Sequence, residues 1–312
     1  MIAIDVMGGD NAPIVVLQGA VAAARRGIAV QLHGPEEMIT SWLAAHAGAW
    51  HALPITIVSS QETIGMDEEP VFAVRKKPGA SLVKAVESVA QGTCSATLSA
   101  GNSGAMMAAS ALIMGRHAGI ERPAIAGYVP SKKGMVLALD LGANTECRPH
   151  HLVQFAHLGT SHVREAQGIE QPRVGLLSNG HEDTKGSALG KEAYVLLKEE
   201  PGINFIGNVE PYHIIEHHVD VVVCDGFSGN ILLKTMEATT DLIKEWYPSI
   251  VPGLDGRLTY KQLGGALLLG VKGTAIICHG NADAHTMEQA IMFAWDISQP
   301  TRGQYTKSSD AV

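Results

Sequence analysis

Short, continuously apolar runs recur along the chain, each followed by a loop rich in Gly, Asn, Asp or Ser and then by a longer helix-like stretch. Continuous apolar runs are typical of strands that are covered by helices on both faces. Six strand-and-loop segments share this pattern, namely IAIDVMGGDNAP, SATLSAGNSG, VLALDLGANTEC, RVGLLSNGHEDTKG, VDVVVCDGFSGN and TAIICHGNADA. Their recurrence predicts an α/β fold with a mostly parallel sheet.

Helix signals occur where this arrangement needs them. The stretch IVVLQGAVAAARRG follows the first loop, with Pro13 placed for a first turn and Gly27 for a stop. AMMAASALIMGR is apolar nearly all round, which predicts a helix buried between layers. Its methionines indicate core packing more than a cofactor-binding segment.

The organisation of the chain predicts one domain. No fixed-period repeat and no long Pro/Ser linker interrupts the 312 residues, and a hydrophobic content of 46% is enough for a large core. We expect a single α/β domain over residues 1–298 and a polar C-terminal tail over residues 299–312.

Composition and charge exclude several classes. The net charge of -8, with no long basic run, argues against a nucleic-acid partner. The N-terminus lacks a basic region before its apolar residues, and the longest apolar passage, 266–278, contains Lys272 and is shorter than the roughly 20 residues of a spanning helix. These features predict a soluble, cytoplasmic protein. The four cysteines are Cys94, Cys147, Cys224 and Cys278. Their wide spacing predicts that they are reduced and buried and do not form disulfides.

The six loops suggest an anion site. Ligands of open parallel sheets bind beyond the carboxyl ends of the strands, where such loops converge. Glycines allow the backbone to approach an anion, and Asn102, Ser103, Ser228 and Asn230 offer hydrogen bonds at helix N-termini. Helix capping alone is the alternative for any single loop, although it is less adequate for six of them.

Familiar catalytic motifs are missing. No G-x-G-x-x-G appears, and GHEDTKG resembles a P-loop without the glycine before Lys185 or the Ser/Thr after it. Lys185 is nevertheless the one lysine within such a loop, with an ordinary solvated lysine as the alternative. His213 and His217 have the i, i+4 spacing of metal ligands, but no zinc motif surrounds them. We expect no metal and no cofactor.

Several motifs together resemble one family. They are IAIDVMGGDNAP, SAGNSGAMMA, ERPAIA, LDLGANTECRPHHLVQFAHLG, GINFIGNVE, VDVVVCDGFSGNILLKTMEA and GGALLLGVKG. In this order they resemble the bacterial phosphate acyltransferase family (PlsX), over nearly the whole chain from Ile2 to about Ala290.

The resemblance implies an enzyme that transfers a fatty acyl group from acyl carrier protein to inorganic phosphate. The acyl phosphate would supply a glycerol-3-phosphate acyltransferase in glycerophospholipid synthesis. It also implies a three-layer α/β sandwich like those of phosphate acetyltransferases and isopropylmalate dehydrogenases, and a homodimer. Two alternatives remain open: a short-chain phosphate acyltransferase that uses acyl-CoA, and a non-catalytic scaffold of lipid synthesis.

The resemblance also suggests roles for particular residues, because phosphate is itself the nucleophile and needs only to be held and oriented. The catalytic candidates are Lys185, Asn230 and His279, the last as the proton donor to the departing thiolate. Four residues are candidates for binding phosphate: Gly101, Asn102, Ser103 and Gly229. Five are expected to orient loops: Asp5, Asp10, Asp140, Asn144 and Asp225.

An acidic carrier protein needs a basic docking surface. The densest basic patch is AVRKKPGASLVK, whose basic residues are Arg75, Lys76, Lys77 and Lys84. The alternative interpretation of this patch is a solvated helix end.

The sequence departs from the family pattern in two places. The loop SNGHEDTKG differs at Asn179 and His181 from the family's acidic run. The segment 240–263 is shorter than in the family and is broken by prolines, which leaves dimerisation and peripheral membrane contact through it open.

Overall fold

The computed structural model describes residues 1–248 and 264–299. They form two compact units, residues 1–119 with 264–299 and residues 120–248. The predicted tail beyond residue 299 and most of the segment 240–263 lie outside the described residues.

The first unit contains a mostly parallel sheet. Its strands lie in the order β3-β2-β1-β4-β11-β10, and only β10 runs antiparallel to its neighbour β11. The strand bounds are β1 Ile2–Asp5, β2 Val30–Gly34, β3 Ile55–Ser59, β4 Ala96–Ser99, β10 Gly265–Leu269 and β11 Thr274–Cys278. All four residues of β1 are buried, although successive side chains point to opposite faces. Both faces of the sheet are therefore covered.

Helices provide that cover. α1 and α10 pack against each other, while α4 packs against β1, β2 and β4. The helix bounds are α1 Ile14–Arg25, α2 Glu36–His46, α3 Pro70–Lys76, α4 Ser81–Ala90, α5 Ser103–Ala109 and α10 Ala284–Ile297. A 3-10 turn at Trp50–Ala52 and a π-helical turn at Ser110–Met114 complete the unit's helical segments.

Two predicted helices of this unit can be compared directly. Pro13 precedes α1 as its N-cap, and Gly27 follows it with φ 86°, so the predicted bounds are confirmed. The predicted helix AMMAASALIMGR becomes α5 followed by the π-helical turn. Met106 is buried as expected, but Leu112 is 51% exposed, so this stretch is not buried all round.

The second unit also contains a mostly parallel sheet that is packed against helices, with a different strand order. Its strands lie in the order β5-β6-β9-β7-β8, and β5 runs antiparallel to β6. The strand bounds are β5 Ala124–Ser131, β6 Gly134–Leu139, β7 Arg173–Leu177, β8 Asn204–Val209 and β9 Val221–Val223. The helix bounds are α6 Pro149–Gln167, α7 Ala188–Glu199, α8 Pro211–Ile215 and α9 Gly226–Trp246. Helix α6 packs on β6 and β9 around the fully buried Phe155.

The six predicted strands are confirmed as β1, β4, β6, β7, β9 and β11. Five further strands were not predicted: β2, β3, β5, β8 and β10. Both β3 and β8 are outermost in their units and carry exposed residues, so their sequences lack a continuous apolar run.

Three of the four cysteines are buried as predicted. Cys147 is only half-buried, because it lies in the loop between β6 and α6 and not in a strand or helix of the core. Within residues 1–248 and 264–299, the helices are too short or too polar to span a lipid bilayer.

Candidate active site

In the first unit, the carboxylate of Asp5 links three segments at the end of β1. Oδ1 accepts hydrogen bonds from Ser81 Oγ at 2.6 Å and from the Met7 N–H at 3.2 Å, and Oδ2 accepts one from Ser99 Oγ at 2.7 Å. Burial raises the pKa of Asp5, and these donors offset part of the effect. Asp5 therefore braces the loop after β1 against α4 and the end of β4.

Close backbone approach makes glycine necessary in this cluster. A Cβ on Gly8 would lie 2.5 Å from Asp5 Oδ2 and 2.7 Å from the Gly101 nitrogen. The Asp10 N–H donates to the Gly280 carbonyl at 2.8 Å. The loops that follow β1, β4 and β11 thus converge, and they bring together Asp5, Asp10, Gly101 and the turn that contains His279.

Asn102 is engaged as a helix cap. Its Oδ1 accepts from the Ala105 N–H at 3.0 Å, and its Nδ2 lies 3.0–3.2 Å from the carbonyls of Gly65, Met66 and Glu68. Ser103, the first residue of α5, is exposed, whereas Asn102 is 7% exposed. The Ser103 hydroxyl is therefore the accessible group of this turn.

His279 follows β11 directly and is half-buried. Its carbonyl accepts a hydrogen bond from the Ala282 N–H at 3.1 Å, which forms the turn that leads into α10.

The predicted basic patch divides into engaged and exposed residues. Lys77 Nζ is 2.6 Å from Glu68 Oε1, and Lys84 Nζ is 2.8 Å from Glu87 Oε2. Arg75 and Lys76 are exposed on α3, where the Lys76 ammonium lies 5.5 Å from the ring centroid of Phe72.

In the second unit, Asp140 organises the loop after β6. Its fully buried carboxylate accepts hydrogen bonds at 2.7–3.2 Å from the backbone N–H groups of Ile125, Gly142, Ala143 and Asn144, and one at 2.8 Å from Asn144 Nδ2. Burial raises the pKa of Asp140, and the N–H donors offset part of that rise.

The same brace positions the start of α9. The Asn144 carbonyl accepts from the Gly226 N–H at 2.7 Å, and Asn144 Nδ2 also donates to the Pro123 carbonyl at 2.8 Å. A Cβ on Gly229 would overlap the carbonyl oxygen of Asp140, so only glycine fits there. The glycine that the sequence assigns to phosphate binding thus allows α9 to pack against the end of β6.

Asp225 caps α9 from the N-terminal side. Its Oδ1 accepts from the Ser228 N–H at 2.9 Å and its Oδ2 from Ser228 Oγ at 2.8 Å. Asn230 is exposed and lies beside the loop after β6. A Cβ placed on Gly142 of that loop would be 3.6 Å from Asn230 Oδ1. Among the residues that the structure describes, the Asn230 side chain has no hydrogen-bond partner.

The loop that contains Lys185 is closed by its own polar groups. The Gly186 N–H donates to Asn179 Oδ1 at 3.0 Å, and the Lys185 N–H donates to the Glu182 carbonyl at 3.0 Å. Gly186 has φ 103°, a conformation that favours glycine. The Lys185 side chain is exposed, and its ammonium forms no ion pair within the described part of the chain.

A cavity of about 1170 Å³ joins this loop to the start of α9. Its polar end is lined by Asn179, Gly186, Ser187, Asp225 and Ser228. The second unit therefore brings the loops after β7 and β9 to one end of a single cavity.

The thiols near these loops are poor nucleophiles. Burial raises the pKa of Cys224 well above its ordinary value, and burial followed by the charge of Asp140 raises the pKa of Cys147 to about 11. Both are protonated at neutral pH, so neither supplies a thiolate for covalent catalysis.

The histidines do not form the helical pair that their spacing suggests. Helix α8 ends at Ile215, and His217 has φ 61°, so His213 and His217 do not share a helix face. In the described ranges, the group that brings three possible ligand atoms close together is Glu121 with His150 and His151. There the His151 Nδ1 accepts from the Arg148 N–H at 3.1 Å, and its Nε2 lies 3.2 Å from Glu121 Oε2. In this tautomer Nε2 carries the proton, as a hydrogen-bond donor to Glu121 and not a metal ligand.

Comparison with known proteins identifies the family. The family model described as "Fatty acid synthesis protein" matches residues 1–301. A phosphate acyltransferase of Anaeromyxobacter sp. (strain K) is 42% identical over 96% of this chain and 87% of its own length. Another, from Pelotomaculum thermopropionicum, is 44% identical over 94% of this chain and 90% of its own length. The chain belongs to the phosphate acyltransferase family. The family and the acyltransferase class expected from the sequence motifs are thus confirmed.

The structural comparison agrees with the fold. A phosphotransacetylase from Streptococcus pyogenes superposes with a TM-score of 0.64 at 18% identity, over 94% of this chain and 93% of its own length. At this identity the likeness concerns the fold alone, and it confirms the predicted α/β class with its mostly parallel sheet.

The predicted site residues fall into two groups, one in each unit. The first unit holds Asp5, Asp10, Gly101, Asn102, Ser103 and His279, together with the basic residues of α3 and α4. The second holds Asp140, Asn144, Lys185, Asp225, Gly229 and Asn230. The site prediction did not include Asn179 and Ser187, which line the cavity beside the Lys185 loop. The sequence signal for them is their position, because Asn179 precedes the loop that contains Lys185 and Ser187 follows it.

Proposed function

We propose that this phosphate acyltransferase moves a fatty acyl group from the thioester of acyl carrier protein to inorganic phosphate. Family membership supports the formation of an acyl phosphate. The observation that carries the proposal is the polar end of the cavity in the second unit, where the Lys185 loop and the Asp225–Ser228 turn lie at the N-terminus of the 21-residue helix α9.

The N-terminus of a long helix favours an anion, because its first N–H groups and its dipole both point toward it. Asn230 offers an exposed amide, and Lys185 offers a positive charge that no described carboxylate neutralises. We assign both to the phosphate or to the oxyanion that develops on the carbonyl. Asp225 is engaged with Ser228 and acts as a brace, as do Asp140 and Asn144.

The first unit offers a second candidate contact for phosphate. In the Gly101–Ser103 turn, the Ser103 hydroxyl is exposed, while Asn102 is committed to capping α5. We therefore assign Ser103 to phosphate contact, and Asn102, Asp5 and Asp10 to holding the loops. Gly101 belongs with the latter, because its N–H donates to Ser99 Oγ at 3.0 Å.

The reaction needs no protein nucleophile. A phosphate oxygen attacks the thioester carbonyl carbon, the carbonyl oxygen becomes an oxyanion, and its collapse forms the acyl phosphate as the carbon–sulfur bond breaks. Hydrogen phosphate loses one proton and the carrier thiolate gains one, so the overall reaction is balanced. We assign delivery of that proton to His279, which lies at the end of β11.

The acyl carrier protein is acidic, and exposed basic and aromatic side chains would suit it. On α3, Arg75 and Lys76 are exposed beside Phe72, which is 62% exposed. We place the carrier dock there. Lys77 and Lys84 already form ion pairs with Glu68 and Glu87, so we expect them to contribute less to carrier binding than Arg75 and Lys76 do.

The product is a mixed anhydride, which an acyltransferase that acts on glycerol 3-phosphate would consume in glycerophospholipid synthesis. A cytoplasmic homodimer is part of the same proposal. Sedimentation of the purified protein would test the dimer, and flotation with anionic vesicles would test peripheral membrane contact.

The activity is tested by incubating the protein with palmitoyl acyl carrier protein and phosphate. We expect phosphate-dependent release of the free carrier, with a product that hydroxylamine converts to the hydroxamate. Release that does not depend on phosphate would contradict the proposal, and no reaction with any donor would favour a scaffold. A parallel series with acyl-CoA separates the two donor classes.

A further inference from the structure

The cavity in the second unit extends far beyond its polar end. Its volume of about 1170 Å³ exceeds the roughly 300–1,000 Å³ of typical small-ligand pockets. This volume is far larger than one phosphate ion needs. The rest of the space therefore calls for a larger ligand.

One wall of the cavity is a continuous face of α9. The lining residues recur at helical spacing: Ser228, Ile231, Leu232, Thr235, Met236, Thr239, Thr240 and Ile243. A rise of 1.5 Å per residue makes the distance from Ser228 to Ile243 about 22 Å. The cavity therefore runs along α9 for about 22 Å, and we call this part of it the trough.

The threonines on this wall do not make it polar. Thr235 Oγ1 donates to the Ile231 carbonyl, Thr239 Oγ1 to the Thr235 carbonyl, and Thr240 Oγ1 to the Met236 carbonyl, each at 2.8 Å. Because these hydroxyl protons are used within the helix, they are not available to a ligand. Together with Ile231, Leu232, Met236 and Ile243, they form a wall suited to hydrocarbon.

The facing walls are also largely apolar. They include Leu152, Leu176, Leu177, Leu189 and Ile215. Ile231 and Ile215 are 53% and 37% exposed, so a bound hydrocarbon chain would remove apolar surface from water, and it would be stabilised roughly in proportion to that area.

The cavity has a direction. Its polar end adjoins the Lys185 loop and the Asp225 turn, at the carboxyl end of β9. Pro130, Ser131 and Lys132 line it where β5 ends, and β5 runs antiparallel to β6, which is parallel to β9. These residues therefore lie at the opposite edge of the unit's sheet.

We propose that this trough binds the acyl chain of the donor, with the carbonyl at the Asp225–Ser228 end and the methyl end toward Thr239, Thr240 and Ile243. The proposal rests on the proposed function and locates its acyl subsite. The hydrocarbon core of a bilayer is about 30 Å thick, so one leaflet-length chain spans about 15 Å and fits within the length of the α9 wall.

The test uses tryptophan at three depths in the full-length protein: Leu232→Trp near the polar end, Thr235→Trp midway and Thr239→Trp near the far end. Initial rates are measured with donors from butyryl to palmitoyl. We expect the longest accepted chain to shorten in the order Thr239, Thr235, Leu232. The palmitoyl-to-butyryl ratio of kcat/KM should fall at least about tenfold in the Thr239→Trp variant, because each excluded methylene costs about fourfold, equivalent to about 0.8 kcal/mol.

Ala238→Trp is the matched control, because Ala238 is exposed on α9 but does not line the cavity. If all three variants keep the chain-length profile of this control, the proposal is wrong. A profile that stays constant while the sedimentation coefficient changes would show instead that the trough is a contact between two copies of the chain.

A second measurement does not depend on the variants folding or on catalysis. The wild-type protein is irradiated with a palmitate analogue that carries a diazirine near its methyl end, and the labelled peptides are identified by mass spectrometry. Labels within residues 235–243 that excess palmitate suppresses would support the trough even if no acyl phosphate forms. Labels on residues 130–132, which line the same end of the cavity, would support the proposal equally. Labels confined to residues that do not line the cavity would overturn it even in an active enzyme.

Discussion

Asn144 donates twice to one oxygen of Asp140, from its backbone N–H at 2.7 Å and from its side-chain Nδ2 at 2.8 Å. Its carbonyl in turn accepts from the Gly226 N–H at 2.7 Å, at the first residue of α9. A single side-chain pair therefore connects the end of β6 to the start of the helix that we assign to phosphate binding.

The Asn144→Ala substitution should lower the free energy of unfolding by about 2 kcal/mol, because it removes a donor from a buried carboxylate and leaves the Pro123 carbonyl unpaired. Urea titration followed by circular dichroism measures the loss. As a control, Asn204→Ala removes an exposed Asn side chain that also donates to a backbone carbonyl, and it should cost less than about 1 kcal/mol. Equal losses in the two variants would contradict the role of the Asp140 brace.

Gly229→Ala should be far more disruptive than its single added methyl group suggests. The new Cβ would overlap the Asp140 carbonyl oxygen and approach Cys224 Sγ to 2.8 Å, so α9 must move away from β6. We expect a loss of about 3 kcal/mol or more in a thermal or urea unfolding experiment.

Gly190→Ala is the matched comparison for Gly229→Ala. A Cβ at Gly190 meets only Ser187 Oγ, at 3.5 Å, and the residue lies within α7. Alanine there should be neutral or stabilise the fold by about 0.5–1 kcal/mol. If both glycines tolerate alanine equally, the close packing of α9 against β6 is not a constraint.

The six predicted strands are mostly buried, and each leads into a loop rich in Gly, Asn, Asp or Ser, which is the pattern that revealed them. β2, β5 and β10 are also mostly buried but were not predicted, so burial alone does not decide which strands the sequence reveals. The outermost β3 has exposed positions, and its pattern therefore resembles that of a loop. Edge position is a property of the assembled sheet and leaves a weak signal in the sequence.

The sequence shows which residue types lie at the ends of the strands, but it does not show the contacts that each of them makes. Asn102 caps α5, and Gly229, in the first turn of α9, permits close packing. These roles depend on neighbours distant in sequence, such as Gly65 for Asn102 and Asp140 for Gly229. Likewise, the i, i+4 spacing of His213 and His217 indicates a shared helix face only if the helix continues, and α8 ends at Ile215.

Lys185→Ala should reduce kcat/KM for phosphate about 100-fold, because the site would lose a positive charge near a dianion and a developing oxyanion. Lys185→Arg should restore part of the activity, since it retains the charge with a different shape. Initial rates at varied phosphate concentration give the effect. Lys191→Ala, which removes an exposed lysine of α7, is the control and should stay within about twofold of wild type. An unchanged phosphate KM and kcat in Lys185→Ala would refute the assignment.

His33 should make the first unit sensitive to mild acid. It is fully buried on β2, and burial, with a smaller contribution from the charge of Lys84, lowers its pKa from 6.5 to about 4. Between these two pH values the unfolded chain binds a proton that the folded chain does not. Stability from this group is therefore complete above pH 6.5 and is lost as the pH falls toward 4, by up to about 3 kcal/mol.

Replacing His33 with Gln should remove this contribution to the pH dependence. The difference in unfolding free energy between the variant and wild type, measured by urea titration at several pH values, should shift in favour of the variant as the pH falls from 6.5 to 4. His51→Gln, at an exposed histidine, should follow the wild-type curve. A constant difference across this range would show that His33 takes up its proton equally in both states, because its side chain would then remain solvated in the folded protein.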